Sequence, residues 1–474
     1  MGYITPIDYN EGFNVIPTTR LVHGRPLYVP LTSFPVTPVD YPPLSFVIIG
    51  GLSYFTGSIL LTGRVVSLVS LLFVSYLVYG IIDNFTLKKS AALLGTLLWL
   101  ALVVRMADNY IGMYDPQMLA HIFSLGAIYL YSKWVDEITV QKTCMLAFLC
   151  CFALFIKHSL IAAPIALAIT LFFSNRGLFG TFALAGIIIS SLMLFGSWLY
   201  AGEYIFSNNF IDFELARSVS NWRMFKEIAY LFCIKFVFVL FLPFVMLLFK
   251  FKFQKRWLCP LIYFLISFLS GAYFVRGAGI DKNAWFNFFI AAAIVFGLLA
   301  AESTKLKVFW IRSLVYGILA SCLLPFSINL KASLEQVLNY DRLKQEEEAY
   351  QKDVKLLQSI PGPALFEEPL LGFDAGKELL FESFDGSQQI VSGRIPERIL
   401  TDPIHEKYFG AIVLNFDLEK RLSRFSKATI DPLKPKTTLT ERWTDNTLKA
   451  ISDNYELLDP KRPRYHFLYL PRKT

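Results

Sequence analysis

The 474-residue chain is 55% hydrophobic and only 17% charged, where soluble domains carry about 25% charged residues. Its 44 phenylalanines suit helices facing lipid better than an aqueous core. These figures exclude a soluble cytosolic enzyme, a disordered chain and a nucleic-acid-binding domain as whole-chain descriptions. The net charge of +8 comes from short loops and the last third of the chain. What remains is a polytopic α-helical membrane protein with a soluble tail.

A long polar segment, Met1–Pro43, comes first, followed by an apolar run at Leu44–Gly57. Crossing ~30 Å of hydrocarbon takes about 20 helical residues. Apolar runs of roughly that kind centre on Val65–Gly80, Ala91–Val104, Gln117–Tyr131, Thr143–Ile156, Ser159–Phe173 and Thr181–Trp198. Ile228–Leu248, Leu258–Val275, Trp285–Ala300 and Val308–Phe326 complete a set of ten, or eleven with Leu44–Gly57. Lys88 and Lys89, Lys133 and Lys142, Arg176, the group Lys250, Lys252, Lys255 and Arg256, and the group Lys305, Lys307 and Arg312 fall in alternate loops. Positive loops face the cytoplasm. Ten spans then leave residues 1–64 and everything after Phe326 outside, with Leu44–Gly57 as an interfacial helix.

The opposite loops, Met1–Pro43, Ala107–Pro116, Ala201–Lys226 and Arg276–Ala284, are longer and hold acidic and aromatic residues. Function is expected on that face, because loops held by a rigid scaffold carry chemistry. Near Asn329 the composition turns polar, dividing the chain into a membrane domain over 1–328 and a tail over 329–474. The tail reads as a small α/β domain. It has a helix over Ala332–Ser359, strands at Ala364–Phe366, Ala411–Leu414 and His466–Leu470, and a helix over Thr447–Asn454. It shows no motif-like acidic pair, so no catalytic residue is expected there. The six cysteines sit in or beside apolar runs and read as small buried hydrophobes.

Asp8 and Glu11 are spaced to share a helix face and could point together into a site at the membrane edge. Asp115, one residue before Pro116, reads as an N-cap carboxylate or as a rigidly held site residue. Lys157-His158 stands between two apolar runs at the outer edge. Snorkelling explains the lysine, and so would an anionic lipid phosphate held there. Arg64, Arg105, Arg217, Arg223 and Arg276 lie near the outer face against the positive-inside trend, which suits an anionic substrate. The loop from Arg276 to Asn283 could contact a phosphate or sugar. The chain has no GxxxxGK[ST], G-x-S-x-G or HExxH motif, which removes support for ATP-driven transport and for hydrolases of those types.

Asp8-x-x-Glu11-Gly12, Gly24-x-Pro26-Leu27-Tyr28 and Tyr41-Pro42-Pro43-Leu44 together resemble the first loop of GT-C membrane glycosyltransferases. Gly63-Arg64-x-x-Ser67 and Tyr114-Asp115-Pro116-Gln117 extend the likeness. It is nearest to the bacterial branch related to protein O-mannosyltransferases and the lipid A aminoarabinose transferase. The resemblance implies a GT-C-like fold, with a first span upstream of Asp8. It also implies an inverting transfer from a polyprenyl-phosphate-linked sugar donor to a glycan, lipid or protein acceptor. The site would lie on the outer face of a bacterial inner membrane. A phosphate leaving group needs cationic stabilisation, which Lys157, His158, Arg64, Arg276 or Asn283 could support. An acceptor hydroxyl needs a carboxylate base, and Asp8 is the candidate. Glu11 and Asp115 could orient the acceptor or hold a divalent metal, and no other cofactor is implied. A non-enzymatic transporter or flippase for lipid-linked sugars is the competing class. It would place ionisable groups at mid-membrane on repeated, broken helices, whereas here the carboxylates cluster in outer loops and no repeat is visible.

Overall fold

The computed structural model describes residues 5–206, 208, 219–231, 240–250, 255–303, 313, 316–317, 340–425, 442–458 and 466–472. A first-loop helix α1 (Tyr9–Val22) precedes α2 (Leu44–Thr56), α3 (Ile59–Thr86), α4 (Lys89–Met106), α5 (Pro116–Trp134) and α6 (Val140–Ile156). Then come α7 (Ala162–Ser174), α8 (Arg176–Ala201), α9 (Asn221–Ala229), α10 (Phe241–Lys250), α11 (Leu258–Phe274) and α12 (Phe286–Ser303).

Helix α3 runs longer than the apolar stretch that announced it. Gly57, with φ of 72°, closes α2, and the Ser58 hydroxyl then caps α3 by accepting from Leu61 N at 3.3 Å. At 13 residues α2 is about 20 Å long, too short to cross alone. The expected span Ser159–Phe173 starts only at Ala162, because Lys157 is extended at the end of α6 (φ −149°, ψ 108°) and turns the chain. Four of the described helices are long and apolar enough to cross a membrane on their own, namely α3, α4, α8 and the stretch Lys282–Ser303. Residues 232–239 of Ile228–Leu248, and nearly all of Val308–Phe326, lie outside the described residues, as do Cys233 and Cys322.

Helix α12 is buried on every side, and α8 exposes almost its whole surface. A helix that is apolar all round belongs inside a core or against lipid, and these two show the alternatives. Around α12 pack α3, α4, α10 and α11, while α3, α5, α6 and α8 continue the layer outward. Described residues of two of the loops rich in lysine and arginine make contacts to neighbouring segments. Lys88 Nζ donates to Ala301 O at 3.0 Å, and Arg256 pairs with Asp136.

The tail is a four-stranded sheet of β1 (Ala364–Phe366), β2 (Ala411–Leu414), β3 (Tyr455–Leu457) and β4 (Phe467–Pro471), in the order β1-β2-β4-β3. Only the β1–β2 pair is parallel. Both faces are covered, so β1 and β2 are buried at every residue, as continuous apolar strands are. Ala364, Phe366, Ala411 and Val413 pack under α13 (Tyr340–Ser359), and Leu365, Ile412 and Leu414 pack on the other side with Trp443 and Leu448.

The tail does not fold apart from the first loop. Ile16 of α1 joins the core under α13, and Val36 joins the opposite one. Val36 also exchanges backbone hydrogen bonds with Leu380 O (2.8 Å) and Glu382 N (2.9 Å). Helix α1 rests on α14 (Pro369–Asp374) so closely that a Cβ at Gly12 would lie 2.4 Å from Leu370 N. Because backbone cannot swing aside, Gly12→Ala should lower the Tm of the detergent-solubilised protein by about 3 °C or more. Gly51→Ala, in α2 with nothing within 4 Å, should leave it unchanged or slightly raised. Equal Tm values for both variants in thermal unfolding would contradict this docking.

Candidate active site

Asp8 is the N-cap of α1, with extended backbone (φ −155°, ψ 158°) and a carboxylate that accepts from Asn10 N at 3.1 Å. Glu11 lies in the first turn and is fully buried. Its carboxylate takes Arg64 Nε at 2.8 Å, Arg64 Nη2 at 2.6 Å, Tyr114 N at 3.1 Å and Ile7 N at 2.8 Å. Four donors satisfy both oxygens. Tyr114 is fixed further by Asn14 Nδ2 on its carbonyl (3.2 Å) and by Thr18 Oγ1 on its hydroxyl (2.7 Å). Its ring lies on the bare backbone of Gly63, where a Cβ would come within 2.2 Å.

The residue after Tyr114 is Asp115, which caps α5 by accepting from Gln117 N at 2.7 Å. The same carboxylate pairs with Lys157 Nζ, at 3.0 Å to Oδ1 and 3.3 Å to Oδ2. Both side chains are buried. The ammonium also sits 4.8 Å above the Tyr41 ring and 3.5 Å from its hydroxyl, a cation–π placement that favours a desolvated cation.

Asp8, Tyr41, Gln117 and Lys157 line a cavity of about 260 Å³. It opens where the C-terminal ends of α6 and α11 meet the N-terminal ends of α1, α5 and α12, and the tail closes it. Asp8, Asp40, Asp281 and Asp385 bring carboxylates to its wall, and Lys157 and Arg442 bring cations. Arg442 lies 3.8 Å above the Tyr9 ring and 3.8 Å from Glu367 Oε1. Burial raises the Asp8 carboxyl above its ordinary range. The charges of Asp281 and Asp115 add to this, while the Asn10 hydrogen bond and the charge of Arg442 oppose it. Burial also raises the Tyr110 phenol, with Asp115, Asp281 and Asp8 adding to the effect, so at the cavity wall it stays a neutral donor.

Of the residues singled out from sequence, Asp8, Lys157, His158 and Asn283 line the cavity. Asp115 sits behind Lys157. Glu11 and Arg64 lie beneath α1, paired with each other and off the wall. Asp8 and Glu11 do not point together: an N-cap residue is outside the helix, so the shared-face spacing does not apply to it. Arg276 is also off the wall, with its guanidinium 4.4 Å over the Tyr273 ring. Glu11 and Asp115, the two carboxylates considered for a divalent metal, are each paired with a cation, Arg64 and Lys157. Among the described residues no group of three His, Cys, Asp or Glu side chains is placed to hold a metal.

Phe384, Asp385 and Arg442 of the tail stand in the cavity wall, although no catalytic residue was expected in the tail and none of its residues was singled out. Asp40 and Asp281 line the cavity too and were likewise not singled out as site residues. Arg442 carries one faint signal, its place beside Trp443, a fully buried anchor of the sheet core.

No family model and no curated protein matches this sequence. Solved structures do. ArnT from Cupriavidus metallidurans bound to undecaprenyl phosphate superposes with a TM-score of 0.60 at 11% identity, covering 97% of this chain and 93% of that one. The oligosaccharyltransferase of Archaeoglobus fulgidus, in complex with zinc and sulfate, gives a TM-score of 0.55 at 11% identity over 97% of this chain and 68% of that one. The Archaeoglobus fulgidus oligosaccharyltransferase AglB, with an inhibitory peptide and a dolichol-phosphate, gives 0.57 at 9% identity over 99% and 71%. The likeness runs through both the helical bundle and the tail, and the chain has the fold of the GT-C membrane glycosyltransferases.

Proposed function

We propose that this protein is an integral-membrane glycosyltransferase that moves a sugar from a polyprenyl-phosphate-linked donor to an acceptor hydroxyl on the extracytoplasmic face of a bacterial inner membrane. One observation carries the reading: an unsaturated carboxylate, Asp8, and a buried lysine, Lys157, line the same cavity at one end of an apolar bundle. The structural neighbours solved with undecaprenyl phosphate and dolichol-phosphate support a lipid phosphate as the donor's carrier.

The chemistry follows from the groups present. The acceptor oxygen attacks the anomeric carbon and gives its proton to Asp8. The bond to the phosphate oxygen breaks, and its electrons leave with the lipid phosphate. A single displacement of this kind inverts the anomeric centre. Lys157 meets the growing negative charge. Its ammonium is held on one side by Asp115 and elsewhere only by the long contact to Tyr41, which leaves donor capacity that a phosphate oxygen would take. Asp115 is then a positioning residue that holds the lysine in place. Glu11 and Arg64 position α1, and with it Asp8.

The direct test is transfer by the purified protein in nanodiscs, against a panel of labelled polyprenyl-phosphate sugars and candidate acceptors. Failure with every donor class, alongside intact lipid binding, would overturn the reading.

Asp8→Asn keeps the cap on Asn10 N but removes the base. It should lower kcat by about 100-fold or more and leave binding of the lipid phosphate unchanged. Near-normal turnover would remove Asp8 from the role. Glu11→Gln should behave in the opposite way. It leaves Arg64 buried without its counter-ion, a change that costs about 3–5 kcal/mol, so the main effect should be a loss of folded protein in size-exclusion and thermal-unfolding measurements. Lys157→Met should raise the donor KM by about tenfold or more, and an unchanged KM would limit Lys157 to supporting Asp115.

A further inference from the structure

A second cavity, of about 270 Å³, lies against the first-loop side of the tail. Asp8 and Tyr9 line both cavities, so the N-cap carboxylate forms part of the partition between them. Pro6 and Ile7 complete the first-loop side of the second, and the tail contributes three polar residues, Glu368, Asn415 and His466. A cavity of this size holds several waters, since each occupies about 30 Å³ in the liquid.

Glu368 is buried and caps α14 through a long contact, Leu370 N to Oε1 at 3.4 Å. The charges facing it are Arg442 from the loop before α18 (Asp445–Asn454), Asp8 from the first loop, and its neighbour Glu367. His466 is held by Asp353 of α13, whose Oδ2 accepts from His466 N at 2.9 Å and lies 3.3 Å from Nδ1, with the Tyr350 ring beside it. Tyr9 lines both cavities, and its hydroxyl is a buried polar atom with no protein partner among the described residues.

The Asp8 reading leaves a problem of turnover. Once Asp8 has taken the acceptor's proton, it must lose it before the next cycle, while sugar and lipid fill the first cavity. We propose that Glu368 is the proton acceptor behind Asp8, reached through water in the second cavity, with the His466–Asp353 pair as the next station toward solvent. This rests on Asp8 being the base. The proton leaves the acceptor hydroxyl for Asp8, passes through water to the Glu368 carboxylate, and returns Asp8 to its ionised form. No co-reactant is consumed. Burial pushes the Glu368 carboxyl up to about 7, Asp8 and Glu367 pushing the same way and Arg442 and the Leu370 amide opposing. It can therefore exchange a proton near neutral pH, as a relay group must.

The sign of the pH dependence follows. Below about pH 7 Glu368 is protonated and cannot accept, so kcat of the wild type should fall as pH drops through that value. Glu368→Gln keeps an oxygen for Leu370 N but cannot take a proton. Measured on the full chain in nanodiscs with a labelled polyprenyl-phosphate sugar, it should lower kcat about tenfold at pH 8. It should also abolish the fall near pH 7, leave the donor KM within about twofold, and regain turnover on addition of imidazole. Glu368→Asp should keep the pH-dependent fall at reduced rate, which provides a second reading if the glutamine variant folds poorly. A glutamine variant with wild-type kcat and pH profile, or an aspartate variant without the fall, would overturn the relay. Asp8→Asn separates the two ideas. If it is inactive at every pH while Glu368→Gln is indistinguishable from wild type, the base stands and the relay fails. If Asp8→Asn is active, the base itself is wrong.

Discussion

A carboxylate and a guanidinium, buried together beneath the first-loop helix, set the geometry of the whole site. Glu11 and Arg64 belong to segments 53 residues apart, and the cost of removing both from water is met only because every donor and acceptor finds a partner. Tyr114 N completes the shell around Glu11, so the pair also fixes the loop between α4 and α5. Asp115 follows in sequence and binds Lys157, which lies over Tyr41. A contiguous line of contacts thus runs from the buried pair to the cation at the cavity wall. Asp8 takes its direction from the same source, one turn before Glu11.

The tail enters through the same helix. Helix α1 presents Glu11 to the bundle, Gly12 to α14 and Ile16 to the core under α13, so a single element is shared by the membrane domain and the sheet. The chain reaches the sheet twice, since Val36 adds itself beside Leu380–Glu382. This is why a domain 320 and more residues distant in sequence supplies wall residues to a cavity opened by the first loop.

The sequence was most legible where the governing interactions are local. Apolar runs gave the helices, the alternation of strands and helices gave the tail, and Asp115 before Pro116 was readable as a cap because a cap depends on its next two residues. Motif order in the outer loops pointed to the fold and to the loops that build the cavity. What could not be read depends on distant partners. The lysine at 157 suggested an absent anion, yet its counter-ion is Asp115, 42 residues away. Glu11 looked like a companion to Asp8 because spacing cannot reveal Arg64 beneath it. Arg442 and Glu368 had no local signature at all, since their meaning comes only from docking of the tail. The ends of helices also moved, Ser58 and Lys157 deciding them through a hydroxyl cap and an extended corner.

On the proposed reading, the placement of charge also explains how two substrates are told apart within one small cavity. Unit charges 4 Å apart interact by about 4 kcal/mol at an effective dielectric constant near 20. A lipid phosphate is therefore repelled by the carboxylates of Asp8 and Asp281 and attracted to the cations Lys157 and Arg442. An acceptor hydroxyl has no net charge to repel and gains by donating to a carboxylate. The donor's leaving group and the acceptor's oxygen are thus drawn to different elements of the wall, which is what a displacement with inversion requires of the two partners. Burial keeps Asp8 basic, and the charge of Asp281 adds to the effect. The Asp281 carboxylate thus contributes both to repulsion of the phosphate and to basicity toward the hydroxyl.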